Sequence, residues 1–199
     1  MEDIIVPGEK VSDSVNFSSG TYVDGGSTYA SVVSLFRDGK SIALKGYYLP
    51  TAGDFVIGVV TEERFSGFVI DIHCPYPATL SNRESREQFS VGDVVSVQIA
   101  SVNEVHEAEL VEPRKLTGGK LVDLSFVKVP RIIGRNGSML ELIKNSTGTD
   151  VLVGKNGRIY LSSGNTNLAT LALMKIDSES HKSGLTDRIS EFLSLNIDK

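Results

Sequence analysis

The chain has 199 residues, of which 40% are hydrophobic and 23% are charged, and its mean hydropathy is close to zero. That length accommodates one or two average domains, or three small ones. The composition excludes a disordered chain, and no apolar run approaches the ~20 residues of a membrane span, so we expect no membrane partner. The acidic start does not resemble a secretory signal, and a single cysteine, Cys74, excludes an intrachain disulfide and a four-ligand zinc ribbon. We expect a cytoplasmic protein.

The net charge of −5 hides an uneven distribution along the chain. Residues 1–112 carry 7 Lys and Arg against 17 Asp and Glu, residues 113–158 carry 9 against 3, and residues 159–199 carry 4 against 5. Phosphate neutralisation by Lys and Arg supplies most of the non-specific affinity for nucleic acids. The basic block at 113–158 therefore indicates a segment that meets an anion, unless it is ordinary surface variation.

The first predicted domain, residues 1–52, is rich in Gly, Ser, Thr and Tyr and has the alternating pattern of short β-strands. The clearest strand patterns lie at 28–36 and 41–48. Gly25-Gly26 and Asp38-Gly39 are turn dipeptides of the kind that join antiparallel strands. We predict a small β domain.

The second predicted domain, residues 53–113, contains five or so short strands in about 60 residues. The strand patterns are 55–60, 67–72, 93–102 and 108–111. A sheet of this size usually closes on itself, and the OB-type barrel is the nucleic-acid-binding form of that solution. We expect the segment from Glu112 to Gly119, with its Pro and Gly residues, to be a polar connection.

The third predicted domain, residues 118–199, changes to an α+β pattern. A strand at 121–126 precedes a helix from Ser138, where Ser138 and Glu141 have the spacing of a capping box, and Gly148 ends that helix. Asn156-Gly157 predicts a β-hairpin, and two further helices follow. The predicted apolar faces of the three helices are Met139, Leu142 and Ile143; Leu168, Leu171, Ala172 and Ile176; and Ile189, Phe192 and Leu193.

The segment from Val129 to Gly137 carries the most functional information. Pro130 suits the first turn of a short helix, because its missing N–H would be unpaired there. Gly134 and Gly137 bracket a loop that lets a sugar-phosphate backbone approach closely, and the next helix points its N–H groups at phosphate. Arg135 adds a charge and Asn136 a hydrogen-bond donor. The alternative is a plain tight turn between two helices.

This Gly-x-x-Gly loop, with its flanking elements, resembles that of a KH domain of the eukaryotic-type βααββα order. In KH domains the loop clamps about four nucleotides of single-stranded RNA. The resemblance assigns RNA binding to Gly134, Arg135, Asn136 and Gly137, with Arg131, Lys128 and Lys144 as further phosphate contacts. We interpret the second Gly-x-x-Gly sequence, Gly154 to Gly157, as a turn only, because no helix follows it.

Taken together, the β segment, the barrel and the KH domain resemble the KH-containing RNA-binding cap subunit of the archaeal RNA exosome. The shared motifs are Val6-Pro7-Gly8, Gly20-Thr21-Tyr22, Tyr29 to Val33, Pro75 to Ala78, Lys128 to Gly134 with Gly137-Ser138-Met139, and Ser183 to Arg188. The middle segment is similar to the barrel named after ribosomal protein S-one, in which Phe65 and Phe68 are candidates for stacking on RNA bases. The acidic Glu62, Glu63 and Asp71 depart from that family's pattern.

The resemblance implies a non-catalytic subunit that captures RNA and delivers 3′ ends to a hexameric ring of phosphorolytic RNase subunits, with three copies per ring. The N-terminal domain would hold the ring. We infer that an acidic barrel near a pore would favour passage of RNA over tight retention.

Enzyme patterns are weak. His73, His106 and His181 are isolated in sequence, and Asp54, Asp71 and Asp93 lie at strand edges and turns, where aspartate is common, rather than as evident Mg²⁺ ligands. We expect no catalytic residues, no metal and no cofactor. Two alternatives remain open: a free-standing regulator that binds single-stranded RNA, and a structural assembly protein whose KH loop is vestigial.

Overall fold

The computed structural model describes residues 3–15, 20–37, 40–84, 87–179 and 184–196. The chain divides into two compact units, Met1–Tyr47 and Tyr48–Lys199. The three-domain division expected above stays a prediction. Two sequence predictions, the Asp38-Gly39 turn and any role for His181, lie outside the described residues. No helix in the described ranges is long and apolar enough to cross a bilayer.

Short antiparallel strands build the first unit. They are β1 (Asp3–Ile5), β2 (Lys10–Ser12), β3 (Thr21–Asp24), β4 (Ser27–Ala30), β5 (Val33–Arg37) and β6 (Lys40–Lys45). Two three-stranded sheets result, with orders β1-β5-β6 and β2-β4-β3. Gly25 and Gly26 both have positive φ in the turn between β3 and β4, as predicted. The predicted strand at 28–36 is in fact two strands in different sheets.

The second unit begins with a closed five-stranded barrel. Its strands are β7 (Phe55–Arg64), β8 (Gly67–Asp71), β9 (Ala78–Ser81), β10 (Val94–Val102) and β11 (Ala108–Leu116), in the order β10-β11-β9-β8-β7, and β7 closes on β10. The sequence reading missed β9, which has only four residues and pairs with β11 in parallel. Apolar side chains of all five strands fill the interior, including Val56, Ile70, Leu80, Val97 and Leu110.

Strand β11 corrects the polar connection expected at 112–119. The strand runs on to Leu116 and stays paired with β10, so that Ser96 faces Arg114. The register shifts between Ser96 and Gln98, and Glu112 in this bulge has a φ of 51°. A bulge accommodates Pro113, which has no N–H to give to the ladder, and the strand therefore continues through a proline.

The rest of the unit is an α+β layer with the order βααββα and one added helix. Its elements are β12 (Lys120–Asp123), α1 (Val129–Ile133), α2 (Ser138–Thr147), β13 (Asp150–Val153), β14 (Arg158–Ser162), α3 (Thr166–Glu179) and α4 (Leu185–Asn196). The sheet order is β12-β14-β13, with both pairs antiparallel. The helices pack on the sheet through a core that includes Ile132, Met139, Ile143, Ile159, Leu161, Leu173 and Ile189.

Two helix predictions are wrong in detail. Ser138 is the first residue inside α2, preceded by left-handed Gly137, so the capping box does not form. Leu171 was expected on the buried face of α3 but is 55% exposed, because its neighbours Ala172 and Leu173 take the core positions. Gly148 is left-handed after α2, as predicted, and its N–H donates to the Lys144 carbonyl.

Candidate nucleic-acid interface

The loop between α1 and α2 is shaped by two glycines. Pro130 lies in the first turn of α1, and the Gly134 N–H closes that helix by donating to the Pro130 carbonyl at 3.0 Å. Gly134 has a φ of 75°, and a Cβ there would lie 2.8 Å from the backbone N of Met139. Glycine is therefore required at 134 both for its backbone angle and for the space.

The centre of this loop changes from a right-handed to a left-handed backbone. Arg135 keeps a helical backbone, whereas Asn136 (φ 52°, ψ 30°) and Gly137 (φ 81°, ψ 2°) are left-handed. A right-handed residue followed by a left-handed one turns successive N–H groups toward one point, an arrangement that binds anions. The Gly137 N–H donates to the Gly134 carbonyl at 3.4 Å, and Arg135 and Asn136 are exposed to solvent.

The other predicted phosphate contacts are distributed on both sides of the loop. Arg131 is exposed on α1, and Lys128 is half-buried immediately before it. Lys144 lies near the far end of α2, about 9 Å along the helix axis from Ser138 at 1.5 Å per residue. Arg131 and Lys128 are thus next to the loop along the chain. Lys144 lies away from the loop, where it lines a groove with Lys115 and Leu152.

The second Gly-x-x-Gly sequence is more than the turn we predicted. Asn156 is 1% exposed, and its side-chain Nδ2 donates to the Ile57 carbonyl at 2.7 Å and to the Ile72 carbonyl at 2.8 Å. Its Oδ1 accepts from the Ile57 N–H at 3.3 Å. The hairpin between β13 and β14 is therefore inserted against the barrel, and its asparagine satisfies three buried main-chain groups there. We call Gly154 to Gly157 the latch loop.

Sequence reasoning could have found the latch loop only indirectly. Its spelling, Gly-Lys-Asn-Gly, is that of an exposed hairpin turn as well as of a buried one. The available signal was repetition: the exposed loop reads Gly-Arg-Asn-Gly, the same pattern 20 residues earlier. Which of the two would be buried depends on barrel atoms about 100 residues away in sequence, so local pattern does not decide it.

Part of the basic block is used to hold the barrel. Arg158, 6% exposed, pairs with Asp71 of the barrel at 2.6 Å and with Asp123 at 3.0 Å, and it also donates to the Asp71 carbonyl. Burial alone would raise the pKa of Asp71, but the bonds from Arg158 and from the His73 N–H outweigh it and hold that pKa below its usual value. Lys155 pairs with Asp54 at 2.8 Å. These cations meet carboxylates of the acidic segment rather than an external anion.

Asp54 is also bonded to a buried tyrosine. The Tyr48 hydroxyl donates to Asp54 Oδ2 at 2.7 Å, and its ring packs edge-on against Phe126 with centroids 6.2 Å apart. Burial, together with this carboxylate, raises the pKa of Tyr48 far above its usual value. The hydroxyl therefore stays protonated and serves as a donor that fixes Asp54 for Lys155.

The two candidate aromatic residues of the barrel have opposite environments. Phe65, at the tip of the β7–β8 hairpin, is fully exposed. Phe68 is 8% exposed in the barrel core, with its ring edge-on to Phe89 at 5.5 Å. A base could reach the ring of Phe65, whereas the burial of Phe68 assigns it to packing.

The carboxylates considered as metal ligands are separately bound to cations. Asp54 pairs with Lys155, Asp71 with Arg158, and Asp93 with Lys115 at 2.5 Å. Within the described residues, no three His, Cys, Asp or Glu side chains are grouped as metal ligands. These aspartates act as anchors for basic side chains.

The fold and the exposed loop define a class: a five-stranded OB-type barrel joined to a KH domain. A family profile for the S1 domain of exosome complex component RRP40 matches residues 48–112, which covers the barrel. Exosome complex component Rrp4 of Thermococcus kodakarensis is 36% identical over 217 residues, spanning 96% of this chain and 84% of that protein. The Rrp4 of Methanothermus fervidus is 37% identical, spanning 98% and 97%. A crystal structure assigned as an exosome complex RNA-binding protein superposes with a TM-score of 0.71 at 32% identity, covering 75% of this chain and 97% of that one.

The chain therefore belongs to the Rrp4 family of exosome components. The resemblance stated from sequence is confirmed at the level of the family and of the fold.

Proposed function

We propose that this protein is the non-catalytic RNA-binding subunit of an exosome, which captures single-stranded RNA and delivers its 3′ end to a ring of phosphorolytic RNase subunits. The observation that carries the proposal is the exposed loop Gly134 to Gly137, in which Arg135 with a right-handed backbone is followed by Asn136 with a left-handed one, the pattern of anion-binding turns. We expect a phosphate to bind at this turn, and Arg135 adds the charge that single-stranded RNA requires. Arg131 and Lys128 flank it as further phosphate contacts.

The first unit supplies the docking surface in this proposal. Among the described residues, seven large apolar side chains of this unit are exposed: Ile4, Val6, Val15, Tyr22, Val33, Leu44 and Tyr47. They are seven of the fifteen exposed large apolar side chains among the described residues, in a unit of 47 residues, and this enrichment supports a protein-docking role. We propose that this unit binds the ring, with three copies of the protein on each hexamer. The expected location is the cytoplasm.

In this proposal the barrel makes weak contacts with RNA. Phe65 offers a ring on which a base can stack, and Glu63 on the same hairpin repels phosphate, whereas Glu62 is paired with Arg64 at 2.9 Å. Weak contact of this kind suits RNA that must move on toward a pore.

The decisive experiment is reconstitution with the ring subunits of the same organism. With phosphate added, the complex should degrade a single-stranded RNA faster than the ring alone, whereas the purified chain should leave RNA intact with or without Mg²⁺. The double variant Arg135→Asp, Asn136→Asp should still join the ring but lose at least tenfold in RNA affinity, because two negative charges replace a positive charge and a donor at the phosphate site.

The competing functions give different results in the same assay. A free-standing regulator would bind RNA but fail to join the ring. An assembly protein with a vestigial loop would join the ring and show the same RNA affinity after the double substitution. RNA cleavage by the purified chain would contradict the non-catalytic assignment.

A further inference from the structure

A groove not used in the proposal above lies where the end of β11 meets the open face of the C-terminal sheet. The groove consists of two cavities of about 440 Å³ and 530 Å³ that adjoin at Leu116 and Leu152, which line both. We call it the junction groove. Its other principal lining residues are Phe55, Gln98, Arg114 and Lys144.

The floor of the junction groove is apolar and its walls are fixed. Leu116 and Leu152 are half-buried at its centre, and Phe55 is 39% exposed at one end. The Phe55 carbonyl accepts from the N–H of Lys155 in the latch loop at 2.9 Å. The phenyl ring is thus carried on a backbone bonded to both parts of the unit, which makes it a prepositioned surface for stacking a base.

Basic side chains also line the junction groove. Arg114 is exposed, Lys144 is half-buried, and Lys115 also lines the groove while it pairs with Asp93. Glu112 and Asp150 line it too, so the groove is not a strongly basic surface. An aromatic ring beside cations that contact the phosphate backbone is the combination that binds single strands.

The junction groove lies near the end of α2 that is opposite the exposed loop. Helix α2 starts directly after Gly137 and carries Lys144 two turns further on, into the groove. An RNA strand clamped at the loop and followed along α2 therefore reaches Lys144, and then Phe55 and Arg114.

We propose that the junction groove is a second contact site for the same RNA strand, in which Phe55 stacks on a base and Arg114 and Lys144 bind the flanking phosphates. This rests on the proposed RNA-binding function and extends it from a four-nucleotide clamp to a longer path.

The test uses the full chain and two oligouridylates, of four and twelve nucleotides. The loop alone accommodates the four-nucleotide RNA, because a KH loop holds about four nucleotides. Phe55→Ala and Arg114→Glu should each lower the affinity for the twelve-mer fivefold or more and leave the four-mer unchanged. Arg114→Glu should also lower the salt slope for the twelve-mer by about 0.7, the value of one phosphate contact in single strands. Lys10→Glu makes the same charge change in the first unit and should alter neither.

The outcomes separate the two proposals. If both lengths bind the unmodified chain and both groove variants match Lys10→Glu, the junction groove is not an RNA site, although the loop still is. If neither length binds the unmodified chain, the proposed function itself fails. If Phe55→Ala lowers the urea midpoint, the affinity of Arg114→Glu alone is used to judge the groove, because the Arg114 side chain is exposed and is not part of a core.

Discussion

The two Gly-x-x-Gly loops of the C-terminal domain have nearly the same sequence and opposite surroundings. Gly134-Arg135-Asn136-Gly137 lies in solvent between two helices, and Gly154-Lys155-Asn156-Gly157 lies against the barrel between two strands. In the first, the asparagine adopts a left-handed backbone and leaves its side chain exposed. In the second, the asparagine side chain is consumed by three buried bonds. Nearly the same sequence thus forms an exposed loop in one place and a buried contact in the other, according to what packs against it.

The largest expected difference is between the two asparagines. Asn156→Ala leaves the Ile57 N–H, the Ile57 carbonyl and the Ile72 carbonyl buried without this partner. Each unsatisfied group costs about 1 to 3 kcal/mol, so the free energy of unfolding should fall by about 3 kcal/mol or more. Urea denaturation measures it. Asn136→Ala is the matched control and should cost about 1 kcal/mol, from the left-handed backbone alone. Equal losses would remove the distinction between the loops.

A second contrast compares the closing glycines, which share a positive φ of 81° at Gly137 and 86° at Gly157. A Cβ at Gly157 would lie 2.2 Å from the Leu124 carbonyl oxygen, whereas nothing lies within 4 Å of one at Gly137. Alanine should therefore cost about 1 to 2 kcal/mol of backbone strain at both sites and about 2 kcal/mol more at Gly157, where main chain must move. Thermal unfolding of the two variants tests this. If Gly157→Ala is as stable as Gly137→Ala, the backbone of Leu124 and Phe126, which follows β12, shifts at little cost in free energy.

These contrasts explain which features were predictable. The barrel, the order βααββα and the exposed loop follow from alternation, helical spacing and turn dipeptides, all of which are local. The capping box failed because Gly137 and Ser138 offer two possible N-caps for α2, one residue apart, and the helix uses the earlier one, Gly137. Phe68, Arg158 and Asn156 were misjudged or missed because their partners are distant in sequence: Phe89 is 21 residues from Phe68, Asp71 is 87 residues from Arg158, and Ile57 is 99 residues from Asn156.

The basic residues of the two loops should affect different properties: Arg135 should matter for RNA binding and Lys155 for stability. Arg135→Ala should weaken single-stranded RNA binding several-fold and reduce the salt slope by about 0.7, with little change in stability, because the side chain is exposed. Lys155→Ala should leave RNA affinity unchanged and cost at most about 1 kcal/mol, since the Lys155 side chain of the ion pair is 66% exposed. Fluorescence anisotropy at several salt concentrations, with urea melts beside it, gives both readouts. RNA binding that depends equally on both residues would place the latch loop at the interface.

The smallest expected effect is on the loss of stability at low pH. The pKa of Asp71 is held below its usual value because the bonds from Arg158 and the His73 N–H outweigh its burial, so folding favours its charged form. A carboxyl group of this kind stabilises the protein fully above the unfolded pKa of about 3.9, and that contribution disappears as the pH falls through the lower, folded value. Asp71→Asn does not titrate; the variant should be slightly less stable at pH 7, where Arg158 retains Asp123, and should lose less of its urea midpoint between pH 5 and pH 2 than the unmodified chain. Parallel declines in the two proteins would mean that acid weakens the molecule elsewhere, and that the contact between the latch loop and the barrel depends on Asn156 rather than on charge.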